Sequence, residues 1–154
     1  MKFVLPVLTV LVVIVLACNK DKFQTKPSIS IKSMNTSFIP LNGTLVITLE
    51  CTDKEGDVQD SVIIIKKRLN KRPTATIRDT LRYKFPDFPT STRTQVQVTL
   101  DYQSILSALN PLTIPGSNPP KKEADTLYLR MAVRDKAGNT SDTIDSKQII
   151  IFRQ

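Results

Sequence analysis

At 154 residues and a net charge of +8, the chain is long enough for one domain with a hydrophobic core, and neither an internal repeat nor a second domain stands out. It has no histidine and no tryptophan, which removes the commonest general base and leaves little to line a saccharide-cleaving cleft. The excess of Lys and Arg points toward anionic partners.

The chain opens "MKFVLPVLTVLVVIVLACNK". Lys2 is a minimal positive region, and an apolar or small run extends from Phe3 to Leu16. This run is shorter than the roughly 20 residues of a membrane-spanning helix and suits an export signal. Val15-Leu16-Ala17-Cys18 resembles the lipobox of bacterial lipoproteins. That resemblance implies a signal peptide over 1–17, cleavage before Cys18, and lipidation of Cys18. The alternative is an ordinary secretory peptide with a chance cysteine. A doubly or triply acylated N-terminus would hold the protein to a membrane essentially permanently. Asn19, where an Asp would resemble an inner-membrane retention signal, favours the outer membrane. "CNKDK" partly resembles a surface-export signal, so periplasmic and cell-surface orientations both stay open. Nucleic acid is not expected as a partner in either compartment.

Residues 18–27 read as a polar tether. From 28 onward the apolar period is two, the signature of half-buried strands. Strands are predicted at 28–34, 44–52, 61–69, 80–85, 94–102, 126–133 and 146–152. In the second, Leu45, Ile47, Leu49 and Cys51 share the inward face. Cys51 therefore reads as a buried thiol; with Cys18 lipidated it has no partner for a disulfide. "DYQSILSAL" (101–109) is the one stretch that predicts a helix, of about two turns. The loop "NPLTIPGSNPP" (110–120) has four prolines, which rule out regular structure there. About seven short strands with regularly spaced turns predict an all-β antiparallel sandwich over residues 28–154.

The segments "LECTDKEGD…DSVIIIKK", "LRYKFPDFP" and "LYLRMAVRDKAGNTSDT…IIIF" resemble the immunoglobulin-like modules of Bacteroidota cell-envelope lipoproteins. The resemblance rests on turn motifs and implies an immunoglobulin-like Greek-key sandwich in an outer-membrane lipoprotein. The function it implies is a non-catalytic binding or assembly module. One departure stands out: immunoglobulin domains pair a cysteine on the second strand with one on the sixth, and here the sixth offers Met131.

Three groups of residues are candidates for function. "ECTDKEGDVQD" (50–60) holds five carboxylates in eleven residues. In a sandwich of this topology, Asp53, Glu55, Asp57 and Asp60 should lie near Asp135, Asn139 and Asp142. Oxygen donors from two loops suit Ca²⁺, so Asp53, Glu55, Asp57, Asp135 and Asn139 are candidate ligands in a calcium-stabilised adhesion or glycan-contact domain. The alternative is a pair of Gly-centred turns whose acids accept local backbone hydrogen bonds.

The second group is Lys66, Lys67, Arg68, Lys71, Arg72, Arg82 and Lys84, a cationic strip for lipopolysaccharide, an acidic glycan or an envelope protein. Its alternative is a solvated edge hairpin protected from aggregation. The third group is four Asp-Ser/Thr-aliphatic tripeptides that resemble the Bacteroidota O-glycosylation motif, at Ser61, Thr80, Thr126 and Thr143.

Overall fold

The computed structural model describes residues 26–72 and 74–153. The expected signal peptide, Cys18 and all of the expected tether except Lys26 and Pro27 lie outside the described residues. The domain is all-β. One sheet has three strands, in the order β1 (Ser28–Met34), β3 (Thr44–Thr52), β6 (Arg93–Asp101). The second runs β2 (Phe38–Ile39), β9 (Ile149–Ile151), β7 (Asp125–Arg134), β4 (Ser61–Arg68), β5 (Thr80–Lys84), with β8 (Ile144–Asp145) also pairing β7. Every pairing is antiparallel except β2 with β9. Each of the seven expected runs forms a strand, and β2 and β8 are short additions.

The alternating pattern explains how the sheets pack. Leu45, Ile47, Leu49 and Cys51 on β3 face Leu127, Leu129, Met131 and Val133 on β7 across one continuous core, all fully buried. Val62 and Ile64 of β4, Val98 and Leu100 of β6, and Ile149 and Ile151 of β9 complete it. Each buried Leu or Ile contributes about 1.5–3 kcal/mol, which makes this core the main source of stability.

The helix is shorter than its sequence predicts. α1 spans only Tyr102–Ile105. Asp101 caps it by accepting from Ser104 N at 2.7 Å, and Leu106 turns extended. The next two amides, Ser107 N and Ala108 N, donate instead to the Asp125 carboxylate at 2.8 and 3.1 Å. A buried acceptor on β7 thus ends the helix before a second turn can form.

The strands run between two poles. One pole gathers loops 53–60, 85–92 and 135–143 with the start of β1. The other gathers loops 35–43, 69–79 and 106–124 with α1 and the end of β9. Lys26, just before β1, pairs with Asp142 at 2.5 Å, so the chain enters the domain at the first, acidic pole.

Candidate functional site

At the acidic pole the two predicted loops do lie side by side. Lys136 N donates to Asp57 O at 3.1 Å, and Asp60 N donates to Arg134 O at 3.3 Å. Gly56 turns the first loop with φ at 73°, and a Cβ there would stand 3.2 Å from the Ser91 backbone. That close approach, together with the positive φ, is why glycine occupies the position.

The carboxylates divide by what they hold. Asp135 is buried and fully engaged: Oδ1 accepts from Asn139 N at 2.7 Å and Oδ2 from Asn139 Nδ2 at 2.9 Å. Asp60 accepts from Ser61 Oγ at 2.9 Å, while Glu55 is exposed. Asp53 is 4% exposed; its Oδ2 accepts from Asp57 N at 3.3 Å, and its Oδ1 has no partner. Asp57 Oδ1 is likewise buried without a partner. Burial pushes the Asp57 carboxyl above the usual carboxylate range, helped by a hydrogen bond to Asp53 and by the charges of Asp135, Asp53 and Glu55.

Four of the five candidate calcium ligands lie near one another, since the charges of Asp53, Glu55 and Asp135 act on Asp57, but they are not arranged as a ligand set. Asp135 and Asn139 satisfy each other, and Glu55 faces solvent. Among the described residues no three Asp, Glu or Cys side chains gather as a metal set. What the pole does contain is a close Asp53–Asp57 pair.

The cationic strip is split three ways. Lys66 is buried, and its Nζ donates to Ser104 O at 3.1 Å and Leu106 O at 2.5 Å. Arg68 is held by Asn70 and Thr74, and Arg72 by Glu123 at 3.1 Å. Lys67 is half-buried, and Lys71, Arg82 and Lys84 are exposed. Strand alternation puts Lys67 on the face opposite Lys66. Arg82 stands across from Ile63 and Lys84 across from Ser61.

Of the four glycosylation candidates, Thr80 and Thr143 are exposed and Thr126 is half-buried inside β7. Ser61 is buried, with its hydroxyl turned to Asp60. Cys51 is fully buried, and burial, reinforced by Glu50, pushes its thiol up to about 11.

The second pole holds a buried charged group that no sequence motif marks. Asp125, fully buried, accepts from Arg153 Nη2 at 2.6 Å through the same Oδ2 that ends α1. The Arg153 side chain is 10% exposed, and its Nη2 also donates to Ala108 O at 2.5 Å. Lys66 lies close enough for the Asp125 charge to act on it. Beside the group, a cleft of about 400 Å³ is lined by Tyr102, Gln103, Leu106, Pro111, Lys122 and Arg153 together with the 41–42 turn. A signal for these buried charges was present in the strand period. Lys66 follows Val62 and Ile64, Asp125 precedes Leu127 and Leu129, and Arg153 follows Ile149 and Ile151, each in phase with the inward face.

No family model matches the chain, and no curated protein matches it either. Among solved structures, the β-glucosidase from Listeria innocua in complex with glucose overlaps 83% of the chain at 11% identity and a TM-score of 0.37. The same enzyme in complex with gluconolactone gives 8% and 0.41. The β-glucosidase from Kluyveromyces marxianus in complex with glucose gives 84% coverage, 11% and 0.38. The chain spans only 15–16% of those enzymes' length, and overlaps this loose carry no functional inference.

Proposed function

We propose that this chain is an outer-membrane lipoprotein, anchored through Cys18, whose immunoglobulin-like Greek-key sandwich serves as a non-catalytic binding or assembly module of the cell envelope. The observation that carries the binding role is the placement of exposed apolar side chains. Among the described residues, six of the seven exposed large hydrophobics, Phe38, Leu41, Leu69, Leu109, Ile114 and Phe152, sit at or beside the second pole; Tyr83 is the seventh. The chain enters at the opposite, acidic pole, so a lipid at Cys18 would turn this apolar pole away from the membrane. Apolar side chains concentrated at one end of a domain suit a protein-contact surface. A non-catalytic role is supported by the absence of histidine and by a thiol that burial keeps protonated.

Two measurements test this reading. Incorporation of a clickable palmitate analogue should be seen in the wild type and lost in Cys18→Ala. A photo-crosslinking residue at Leu109 or Ile114 should trap one discrete adduct in intact envelopes, and one at Tyr83 should not. Palmitate label in neither chain would end the anchor, and identical crosslinking at all three sites would end the polar contact surface.

A second reading, a calcium-stabilised adhesion or glycan-contact domain, is favoured by the two unpartnered oxygens Asp53 Oδ1 and Asp57 Oδ1. Main-chain oxygens and water would have to supply the remaining ligands, since Ca²⁺ takes six to eight. A melting temperature indifferent to both excess Ca²⁺ and chelator would exclude it.

A further inference from the structure

We infer that the cleft beside Arg153 binds a small oxyanion, a carboxylate or phosphate group carried by the module's partner, an inference that rests on the binding-module reading for its occupant. Its basis is an unbalanced set of buried charges. Lys66 and Arg153 place two cations out of solvent around one buried carboxylate, Asp125, with the exposed Asp79 also acting on Lys66; of these two cations it is Arg153 that lines the cleft. A buried charge without a counter-charge is costly, and a site that keeps one supplies a ready counter-ion position.

Two further acids at this pole are already engaged. Glu123 pairs with Arg72 at 3.1 Å, and Asp101 caps α1 at 2.7 Å from Ser104 N. Arg153 grips Asp125 through Nη2 alone, and its Nε is buried with no acceptor. Asp125 Oδ1 is also without a donor, so the pair is held end-on rather than as a two-bonded fork. The cleft adds Lys122, whose ammonium donates at 3.2 Å only to the exposed Thr113 hydroxyl, and the exposed Gln103 amide. Burial is the main cause that lowers the Lys66 pKa, against the opposing charges of Asp125 and Asp79.

The shape suits a charged group on a larger body. Leu41, Tyr102, Leu106 and Pro111 contribute apolar atoms to the cleft's lining, beside Asn42. Exposed Leu41, Leu109 and Phe152 belong to the same pole. A ligand presenting an oxyanion to Arg153 and Lys122 would lay its apolar part across these residues.

The test is calorimetric titration of the full chain in detergent micelles, at constant ionic strength, with inorganic phosphate, acetate and glucuronate in separate runs. Saturable one-to-one binding is expected for at least one probe. Phosphate alone would assign a phosphate-bearing occupant, and glucuronate or acetate alone a carboxylate. Lys122→Gln should weaken binding roughly five-fold, the effect of losing one partly exposed cation, without shifting the melting temperature. No saturable binding, or binding indifferent to Lys122→Gln, would overturn the inference; that is the result expected if Arg153 turns to hold Asp125 through both nitrogens. Oxyanion binding without a Leu109 adduct would keep the site and remove the envelope partner. An adduct without oxyanion binding would do the reverse.

Discussion

Arg153 Nη2 meets Asp125 Oδ2 at 2.6 Å, with both side chains almost entirely out of solvent. That single oxygen also accepts from Ser107 N and Ala108 N, so it joins the end of the chain, the first residue of β7 and the segment after α1. Asp125→Asn would keep the shape but leave Arg153 and Lys66 buried with no carboxylate. Breaking a buried pair in this way costs roughly 3–5 kcal/mol. Urea denaturation should show a loss of that size, and a loss under 1 kcal/mol would mean that solvent reaches the pair freely.

The acidic pole predicts a gain. The Asp57 carboxyl is raised in the fold, chiefly by burial and then by Asp53. A raised carboxyl favours folding below its unfolded pKa of about 3.9, and that contribution is lost as pH rises through the higher folded value. At neutral pH the pair is therefore under electrostatic strain. Asp57→Asn mimics the protonated acid and offers an N–H to the Asp53 side. Its melting temperature should exceed that of wild type by a few degrees at pH 7 in chelator, and the difference should shrink toward pH 4. If calcium occupied the pair, the same substitution would lower the melting temperature in excess Ca²⁺.

Much of this fold was legible because its strands alternate so regularly. "TLVITLECT" names its own inward residues, and all four of them are fully buried. The turns at Gly56 and Gly138 were legible too, since both adopt positive φ. The charged residues were harder to read. Counting Lys66 with Lys67 and Arg68 gives a cationic strip, but the strand period places Lys66 inside with Ile64. Composition and period disagreed there, and the period prevailed because two carbonyls, Ser104 O and Leu106 O, accept from the ammonium. The Asp125–Arg153 contact could not be foreseen from spacing, since it joins residues 28 apart through sheet pairing. For the same reason α1 stops early, as its second turn loses to a side-chain acceptor that local propensity cannot anticipate.

The two faces of β7 should respond differently to truncation. Leu129 is fully buried at the middle of the strand, next to Tyr128, whose ring is half-buried beneath the Arg130 guanidinium at 5.8 Å. Leu129→Ala removes core contacts and leaves a cavity, at a cost of about 2–5 kcal/mol. Tyr128→Ala gives up a partly exposed cation–π contact of about 0.5–1 kcal/mol and some covered area. Equal losses by chemical denaturation would mean that the Leu129 face of β7 does not pack against the other sheet.

Cys51 closes the inward run of β3, and its chemistry follows from that position. With the thiol pushed up to about 11, roughly one molecule in a thousand carries a thiolate at pH 8. The sulfur is also shut off from solvent, since the residue is fully buried. Native protein should therefore resist iodoacetamide at pH 8 and react promptly in urea, as read by mass spectrometry of the 44–52 peptide. Substitution sharpens the point. Cys51→Val keeps an apolar side chain of similar size and should stay close to wild type in stability. Cys51→Ser places a hydroxyl among Leu45, Ile47 and Leu49 on the same face, at a cost of about 1–3 kcal/mol. A serine variant as stable as the valine variant would show that the thiol lies at a hydrated margin of the sandwich rather than in its core.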